Sequence, residues 1–296
     1  MYQKKYNLLV KKTKLKSYCK INLLLRVKKK LKNGYHSISS LITFCNLYDV
    51  ISVGQIHSLN DKISFSGKFK KNINIKSNTI TQALYYLRKK KLLKNKYFKI
   101  NVTKNIPLGS GLGGGSSNAA TLLKFFKDKM DLNLSNKALF RIANKVGSDV
   151  PIFLRKQNTF LNGKNNNIIK INKKFNLNIL IVYPNINCST EKIYKKNKIF
   201  SLKIPLIKNF EKNKNKLLKT LINENNDLEK IAIKMYPKIG SLINYIQSQK
   251  GCYFSRITGS GSACIGIFSN RSKAILANKL IKTKFPKYWC VVSKTI

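Results

Sequence analysis

Pro107-Leu-Gly-Ser-Gly-Leu-Gly-Gly-Gly-Ser-Ser-Asn-Ala-Ala120 is the stretch on which the reading of this chain turns. Five glycines fall in the seven residues Gly109 to Gly115. So many are costly in ordered structure unless the backbone must take unusual angles. They free successive N–H groups to face an anion, while Ser116, Ser117 and Asn118 open a helix whose dipole also favours negative charge. The segment reads as a phosphate cradle, ahead of the plainer reading of a flexible join between strand and helix. It is not a Walker A loop, because Gly115 stands where that motif requires Lys. Gly109, Gly111 and Gly114 do satisfy G-x-G-x-x-G, with Asp128 or Asp131 about 20 residues on. A dinucleotide fold nevertheless fails on context: Lys104 to Pro107 separate the preceding strand from the glycines, and no second strand intervenes before either Asp.

Outward from the cradle, strand and helix alternate. Upstream, Tyr97 to Thr103 carries Phe98, Ile100 and Val102 on one face, and Asn78 to Lys91 has Ile80, Ala83, Leu84 and Leu87 at helical spacing behind the cap Asn78. Ile21 to Val27 and Asp49 to Val53 read as strands. Downstream, helices are expected from Ser116 to about Lys127 and from Ser135 to Val146, the second capped by Ser135. Lys164 to Asn167 reads as a loop or boundary. Then follow a strand at Leu177 to Tyr183 and helices near Glu191 to Lys196, Lys212 to Ile222 and Lys238 to Gln249. The end reads as strand Ser255 to Thr258, glycine turn, strand Ala263 to Phe268, helix Ser272 to Thr283 and strand Trp289 to Val292. Two α/β or α+β domains are expected, residues 1–158 and 159–296.

Composition narrows the class. The chain has 296 residues, 59 Lys+Arg against 10 Asp+Glu and a net charge of +49, yet 43% of it is hydrophobic. It can bury a core, and no run approaches the roughly 18 apolar residues of a membrane helix. A pI near 10 suggests a nucleic-acid footprint. The lysines, however, are spread along the whole chain among Asn and Ile, as AT-rich codon usage would produce, so runs such as Lys89-Lys90-Lys91 read first as solvated surface. The six cysteines show no C-x-x-C pair, which argues against a zinc site or disulfide framework and for a reducing, cytoplasmic setting. Met1 to Lys16 lacks the apolar core of a secretory signal and the Arg/Ser richness of a transit peptide, and is expected to be mature sequence.

Phosphoryl transfer needs a group that activates the nucleophile and one that neutralises charge. Asp149, in Gly147-Ser-Asp-Val-Pro151, precedes a Pro that restricts Val150, so its carboxylate is fixed on a short turn and suits a general base. Taken alone it reads better as a helix-ending or turn-making Asp. Lys20 opens an apolar strand, where it could pair with a buried carboxylate; alone it is one more lysine. His36 and His57 are the only histidines. His57 lies in a polar stretch and reads as a surface residue.

Read together, three segments resemble the GHMP kinase superfamily: Lys20-Ile-Asn-Leu-Leu24, Pro107 to Ala120, and Ile257-Thr-Gly-Ser-Gly-Ser-Ala263. Asn33-Gly-Tyr-His36, Gly111 to Ala120 and Gly147-Ser-Asp-Val-Pro-Ile-Phe153 are most similar to the branch that phosphorylates a cytidyl-diphosphate methylerythritol. The resemblance runs from about Lys16 to Val292 and is thin between about 195 and 250. It implies an α+β two-domain fold, with an N-terminal α/β domain like that of a ribosomal protein, a C-terminal ferredoxin-like domain, and the active site in the cleft between them. It further implies ATP-dependent phosphorylation of the substrate's tertiary 2-hydroxyl, a step in non-mevalonate isoprenoid precursor synthesis.

By the same resemblance, Asp149 is the catalytic base and Lys20 its partner. Pro107, Leu108, Gly109, Ser110, Gly111, Leu112, Gly113, Gly114, Gly115, Ser116 and Ser117 match the ATP phosphate loop, and Asn78 lies near the adenosine. Asn22 is a substrate contact. Tyr35 and His36 form the cytosine site, and the segment from Tyr183 through Thr190 to Tyr194 closes its other face, Tyr194 standing where the family has Phe. Ser148 replaces a common Ala, and Ile42 stands where an aromatic often lines the substrate pocket. No acidic residue has a spacing that assigns it to magnesium, so Mg2+ is expected on the nucleotide phosphates. The expected partner is a small molecule, with no membrane and no specific nucleic acid, for a monomer or homodimer. A homoserine or mevalonate-type kinase is the rival that Tyr35-His36 argues against. An RNA-binding protein is the rival of another class, and it has no use for Asp149 or the glycines.

Overall fold

A computed structural model describes residues 12–32, 34–130, 132–163, 167–201 and 213–296. Asn33, Asp131, Lys212 and most of the Lys164 to Asn167 loop, which carried expectations above, lie outside the described residues. The chain forms two compact units: Met1–Ser17, Tyr48–Asn105 and Gly115–Leu154 in the first, Tyr18–Leu47, Ile106–Gly114 and Arg155–Ile296 in the second. A single division after residue 158 is a different partition. The units interleave because two strands, β1 (Thr13–Lys30) and β2 (His36–Ile56), are long enough to contribute to both.

In the first unit, Val50 to Ile56 of β2 pair antiparallel with β4 (Tyr97–Thr103), and β4 pairs parallel with β3 (Lys62–Ser66). The two-residue period of β4 sends Phe98, Ile100 and Val102 inward, where the Phe98 ring meets Phe126 edge-on at 4.7 Å. Helices α1 (Thr79–Lys89), α2 (Gly114–Lys129), α3 (Asn136–Val146) and the short α4 (Val150–Phe153) complete it. The caps fall where the residue types put them. The Asn78 side chain accepts from the Ile80 and Thr81 N–H groups, and Ser135 from that of Ala138.

In the second unit, β1 pairs with β2, and Ile38 to Ile42 of β2 pair antiparallel with β5 (Thr159–Gly163), which carries β6 (Ile168–Lys170). A separate antiparallel sheet runs β10 (Trp289–Lys294), β7 (Asn178–Tyr183), β9 (Cys264–Phe268), β8 (Cys252–Ile257). Strand β7 is buried on both faces. Ile179 and Ile181 join Leu23, Leu41 and Phe160 in one core cluster, while Leu180 and Val182 join Leu242, Ile246 and Ile281 in another. The latter three come from α8 (Pro237–Gln247) and α9 (Arg271–Lys284). Helices α5 (Thr190–Lys195), α6 (Lys214–Ile222) and α7 (Glu229–Met235) lie between β7 and α8 in the chain. Among the described residues no helix is long and apolar enough to cross a membrane.

The expected strands at Ile21 to Val27 and Asp49 to Val53 are much longer in the structure, 18 and 21 residues. Their extensions are rich in Lys, Ser and Thr, which blur the alternation that marks a strand. Strands β3, β5 and β6, and helix α7, are short and went unmarked for the same reason.

Candidate active site

The glycine string begins as a loop of the second unit. Gly109, Gly111 and Gly113 all have positive φ, the region closed to most side chains. At Gly111 space demands glycine too: a Cβ there would lie 2.1 Å from the Thr258 carbonyl oxygen. The loop is pinned on several sides. Lys20 N–H donates to Leu112 O at 3.0 Å and Ala263 N–H to Ser110 O at 3.0 Å. Tyr183 OH donates to Leu108 O at 3.3 Å, and the Ser110 hydroxyl folds back onto Pro107 O at 2.8 Å. A flexible join would carry few such bonds. This loop is held, and it delivers the chain to the N-terminus of α2 at Gly114. That is the arrangement in which backbone N–H groups and the helix dipole receive an anion.

Lys20 and Asn22, two apart on β1, share one strand face. The Lys20 ammonium donates to Asn22 Oδ1 at 2.6 Å, and Asn22 Nδ2 donates to the Ser40 hydroxyl at 2.8 Å, which passes on to Leu24 O at 2.6 Å. Lys20 is only 5% exposed, which separates it from the solvated lysines. Asn22 N–H donates to Thr258 Oγ1 at 2.9 Å, so the glycine turn after β8 also touches this pair. Thr190, at the head of α5, shares a 2.9 Å hydrogen bond between its hydroxyl and that of Ser260. Lys20, Asn22, Thr190 and the Gly111 end of the loop therefore gather around one turn, Thr258 to Ser262, within the second unit.

His36 opens β2, with the Tyr194 ring centroid 5.1 Å away at 33° and Phe200 at 6.5 Å and 24°. Burial, and after it the Lys30 charge, lowers the pKa of His36 from 6.5. The imidazole is accordingly neutral at pH 7, with one donor and one acceptor nitrogen. Tyr35 is 64% exposed. Phe200 was not singled out from the sequence; an aromatic inside a Lys/Asn-rich stretch is the signal that marks it.

The remaining candidates belong to the first unit. Asp149 stands half-buried at the N-cap of α4, where its side chain makes no capping hydrogen bond. Ser117 is buried and its hydroxyl receives a hydrogen bond from Ser17 at 2.7 Å, which ties down the start of α2. Gly115 O accepts from the Thr79 hydroxyl at 2.7 Å. The Asn78 carboxamide is committed to its own chain, its oxygen capping α1 and its nitrogen donating to Asn74 O and Ile75 O. Sequence reasoning missed a buried network beneath α2: Asp49 pairs with the Lys104 ammonium and accepts from Asn118 Nδ2 at 3.1 Å and from Asn105 N–H at 2.7 Å. Asp49 is fully buried and Lys104 1% exposed. An Asp within an apolar strand, in a chain with ten acidic residues, was the available signal.

Among the described residues no three His, Cys, Asp or Glu side chains converge as a metal site. The oxygen-rich donors a magnesium ion prefers are those that a nucleotide's phosphates supply.

Against family models, residues 78–157 match the GHMP kinases N terminal domain and residues 206–287 the GHMP kinases C terminal domain. A Pelagibacter ubique protein named 4-diphosphocytidyl-2-C-methyl-D-erythritol kinase is 41% identical over 96% of this chain and 99% of its own length. One from a Wolbachia of Drosophila simulans, with the same name, is 35% identical over 93% of this chain and 97% of its own. Among solved structures, a 4-(cytidine 5'-diphospho)-2C-methyl-D-erythritol kinase is similar in fold, with TM-score 0.77 and 22% identity over 95% of this chain and 99% of that one. A homoserine kinase from Cytophaga hutchinsonii follows with TM-score 0.71 and 16% identity over 100% and 97%.

Proposed function

This chain belongs to the GHMP kinase family, and from that premise we propose that it phosphorylates the 2-hydroxyl of 4-diphosphocytidyl-2-C-methyl-D-erythritol, with ATP as donor, in the supply of isoprenoid precursors. The observation that supports the substrate is the 41% identity, over 96% of this chain and 99% of the relative's length, to a protein named 4-diphosphocytidyl-2-C-methyl-D-erythritol kinase. The homoserine kinase shares the fold at 16% identity, which says nothing of the acceptor.

In this reading the N–H groups from Gly109 to Gly115 and the N-terminus of α2 hold the nucleotide phosphates. Asp149 takes the proton of the attacking hydroxyl, and Lys20, kept in place by Asn22, offsets charge at the acceptor. A magnesium ion would be held by the nucleotide phosphates, with no carboxylate cluster of this chain assigned to it, and would supply charge neutralisation there. The setting is cytoplasmic, where ATP is available. Turnover of ATP with the cytidyl substrate, set beside homoserine, mevalonate and RNA, tests the proposal. Preference for either of the small rivals would overturn it.

The cytosine is assigned to the aromatic group of His36, Tyr194 and Phe200. Tyr194→Ala should raise KM for the cytidyl substrate by roughly 5- to 150-fold, equivalent to about 1 to 3 kcal/mol of lost stacking, and leave the KM of ATP unchanged. Tyr194→Phe should be nearly silent. Because a cationic protein attracts any diphosphate, the comparison is made at two ionic strengths, and the stacking loss should persist at the higher. Equal affinity in wild type and Tyr194→Ala would move the cytosine elsewhere.

The state of His36 gives a second expectation. Its pKa lies below 6.5, so protonation, and with it loss of the accepting nitrogen, occurs only on the acid side of that value. KM for the cytidyl substrate should be flat from about pH 7 to 8 and change only below 6.5. A transition above 6.5 would remove His36 as a neutral reader of the base. His36→Ala should narrow the preference for cytosine over uracil.

A further inference from the structure

Between α6 and α7 the chain passes Asn225-Asn226-Asp227, a segment that no motif singles out. It lies along β1: Leu25 N–H donates to Asn225 O at 3.2 Å, Asp227 N–H donates to Leu25 O at 2.9 Å, and Leu25 and Asn226 form a parallel bridge. The Asp227 carboxylate fastens the same place by accepting from Val27 N–H at 2.8 Å and the Arg26 guanidinium at 3.0 Å.

Asn226 is 3% exposed and its carboxamide is fully used. Nδ2 donates to Gly259 O at 2.7 Å and to Ile257 O at 3.2 Å, and Oδ1 accepts from Leu228 N–H at 3.0 Å. Ile257 is the last residue of β8, so these carbonyls lie where the strand ladder gives out. Buried carbonyls without a donor are costly. Asn is the small side chain that supplies two donors and one acceptor at once.

The turn so held is the one against which the site is built. A Cβ on Gly259 would sit 3.3 Å from Lys20 Nζ, 3.3 Å from Asn22 Oδ1 and 3.2 Å from Gly111 O. Thr258 in turn accepts from Asn22 N–H. We propose that Asn226 is a positioning residue: by tying the Ile257 to Gly259 carbonyls to β1 it sets the Thr258 to Gly261 turn, and through it the placement of the Lys20 ammonium and the Asn22 carboxamide. Buried as it is, Asn226 acts through that turn and not on substrate. The inference rests on the kinase reading for its kinetic consequence.

Two measurements on the full chain test it. In Asn226→Ala, kcat should fall about 10- to 100-fold while KM for both substrates changes less than about threefold, the pattern of a catalytic group displaced by a fraction of an ångström. Amide hydrogen exchange over residues 257–263 should accelerate, with β7 exchanging as in wild type. Asn226→Asp keeps the shape and the Oδ1 acceptor but donates only when protonated. Its turnover relative to wild type should therefore rise as pH falls, and it carries the test if the Ala variant does not fold. Wild-type kcat in either variant at pH 8, or unchanged exchange at 257–263, overturns the proposal. Should wild type fail to phosphorylate the cytidyl substrate, the kinase reading fails on its own, and the exchange comparison still decides whether Asn226 holds the turn.

Discussion

Asp149→Asn is expected to lower kcat by about two to four decades with both KM values nearly unchanged. Asn keeps the size and the hydrogen-bonding reach of the side chain, so the N-cap turn at Gly147 to Pro151 survives, but it cannot accept the proton of the attacking hydroxyl. Backbone hydrogen bonds run through that turn, Val150 N–H to Gly147 O at 3.1 Å and Ile152 N–H to Asp149 O at 3.2 Å. A single-turnover measurement with saturating ATP isolates the chemical step. If Asp149→Asn raises KM and spares kcat, the residue binds and does not act as base. Lys20→Met should also depress kcat, and wild-type rate in that variant would return Lys20 to the company of the other lysines.

Asp49→Ala is expected to cost about 3 to 5 kcal/mol of stability, the usual consequence of removing one partner from a buried ion pair. The loss arises from what stays behind: a Lys104 ammonium 1% exposed, with Asn105 N–H and Asn118 Nδ2 also deprived of their acceptor. Denaturant unfolding reads the loss. The double variant Asp49→Leu/Lys104→Met should regain most of it, since no unpaired charge is then buried. Burial already pulls the Lys104 pKa below 10.5, and the Asp49 charge opposes that pull. In Asp49→Ala the opposition is gone. The folded state then releases the Lys104 proton more readily than the unfolded state does, so the variant's stability should climb as pH rises toward 10.5. A loss under about 1 kcal/mol, or a double variant no better than the single, would mean that the pair is not what holds α2 to the end of β4.

Much of the first unit was legible because its elements obey local rules. The Phe98, Ile100, Val102 alternation and the Asn78 and Ser135 caps are set by residues within a few positions of each other, and the structure has β4, α1 and α3 at those places. The long strands were not, because β1 and β2 carry polar residues that are buried or bonded only by partners far along the chain. Ser40, for example, accepts from Asn22 and donates to Leu24. The glycine string was legible from composition as a run needing unusual backbone angles, and Gly109, Gly111 and Gly113 have positive φ. Why Gly111 must be glycine did not show there, since the obstacle is the carbonyl of Thr258.

By itself, then, the amino-acid order determined the strongly periodic strands and helices and the glycine loop that leads into α2. These follow from periodicity, capping and glycine spacing, which act over one or two turns of chain. Tertiary structure alone decided which polar side chains are buried together. Lys20 became distinct from the many surface lysines only when β1 placed it 2.6 Å from Asn22 Oδ1. Asp49 became the buried partner of Lys104, 55 positions further along the chain. Cys19 and Cys45, scattered in the sequence, meet at 3.0 Å. Such pairings depend on loop closure and on the desolvation of groups brought in from remote segments. No local pattern encodes them, because the same lysine or aspartate in another place would be content in water.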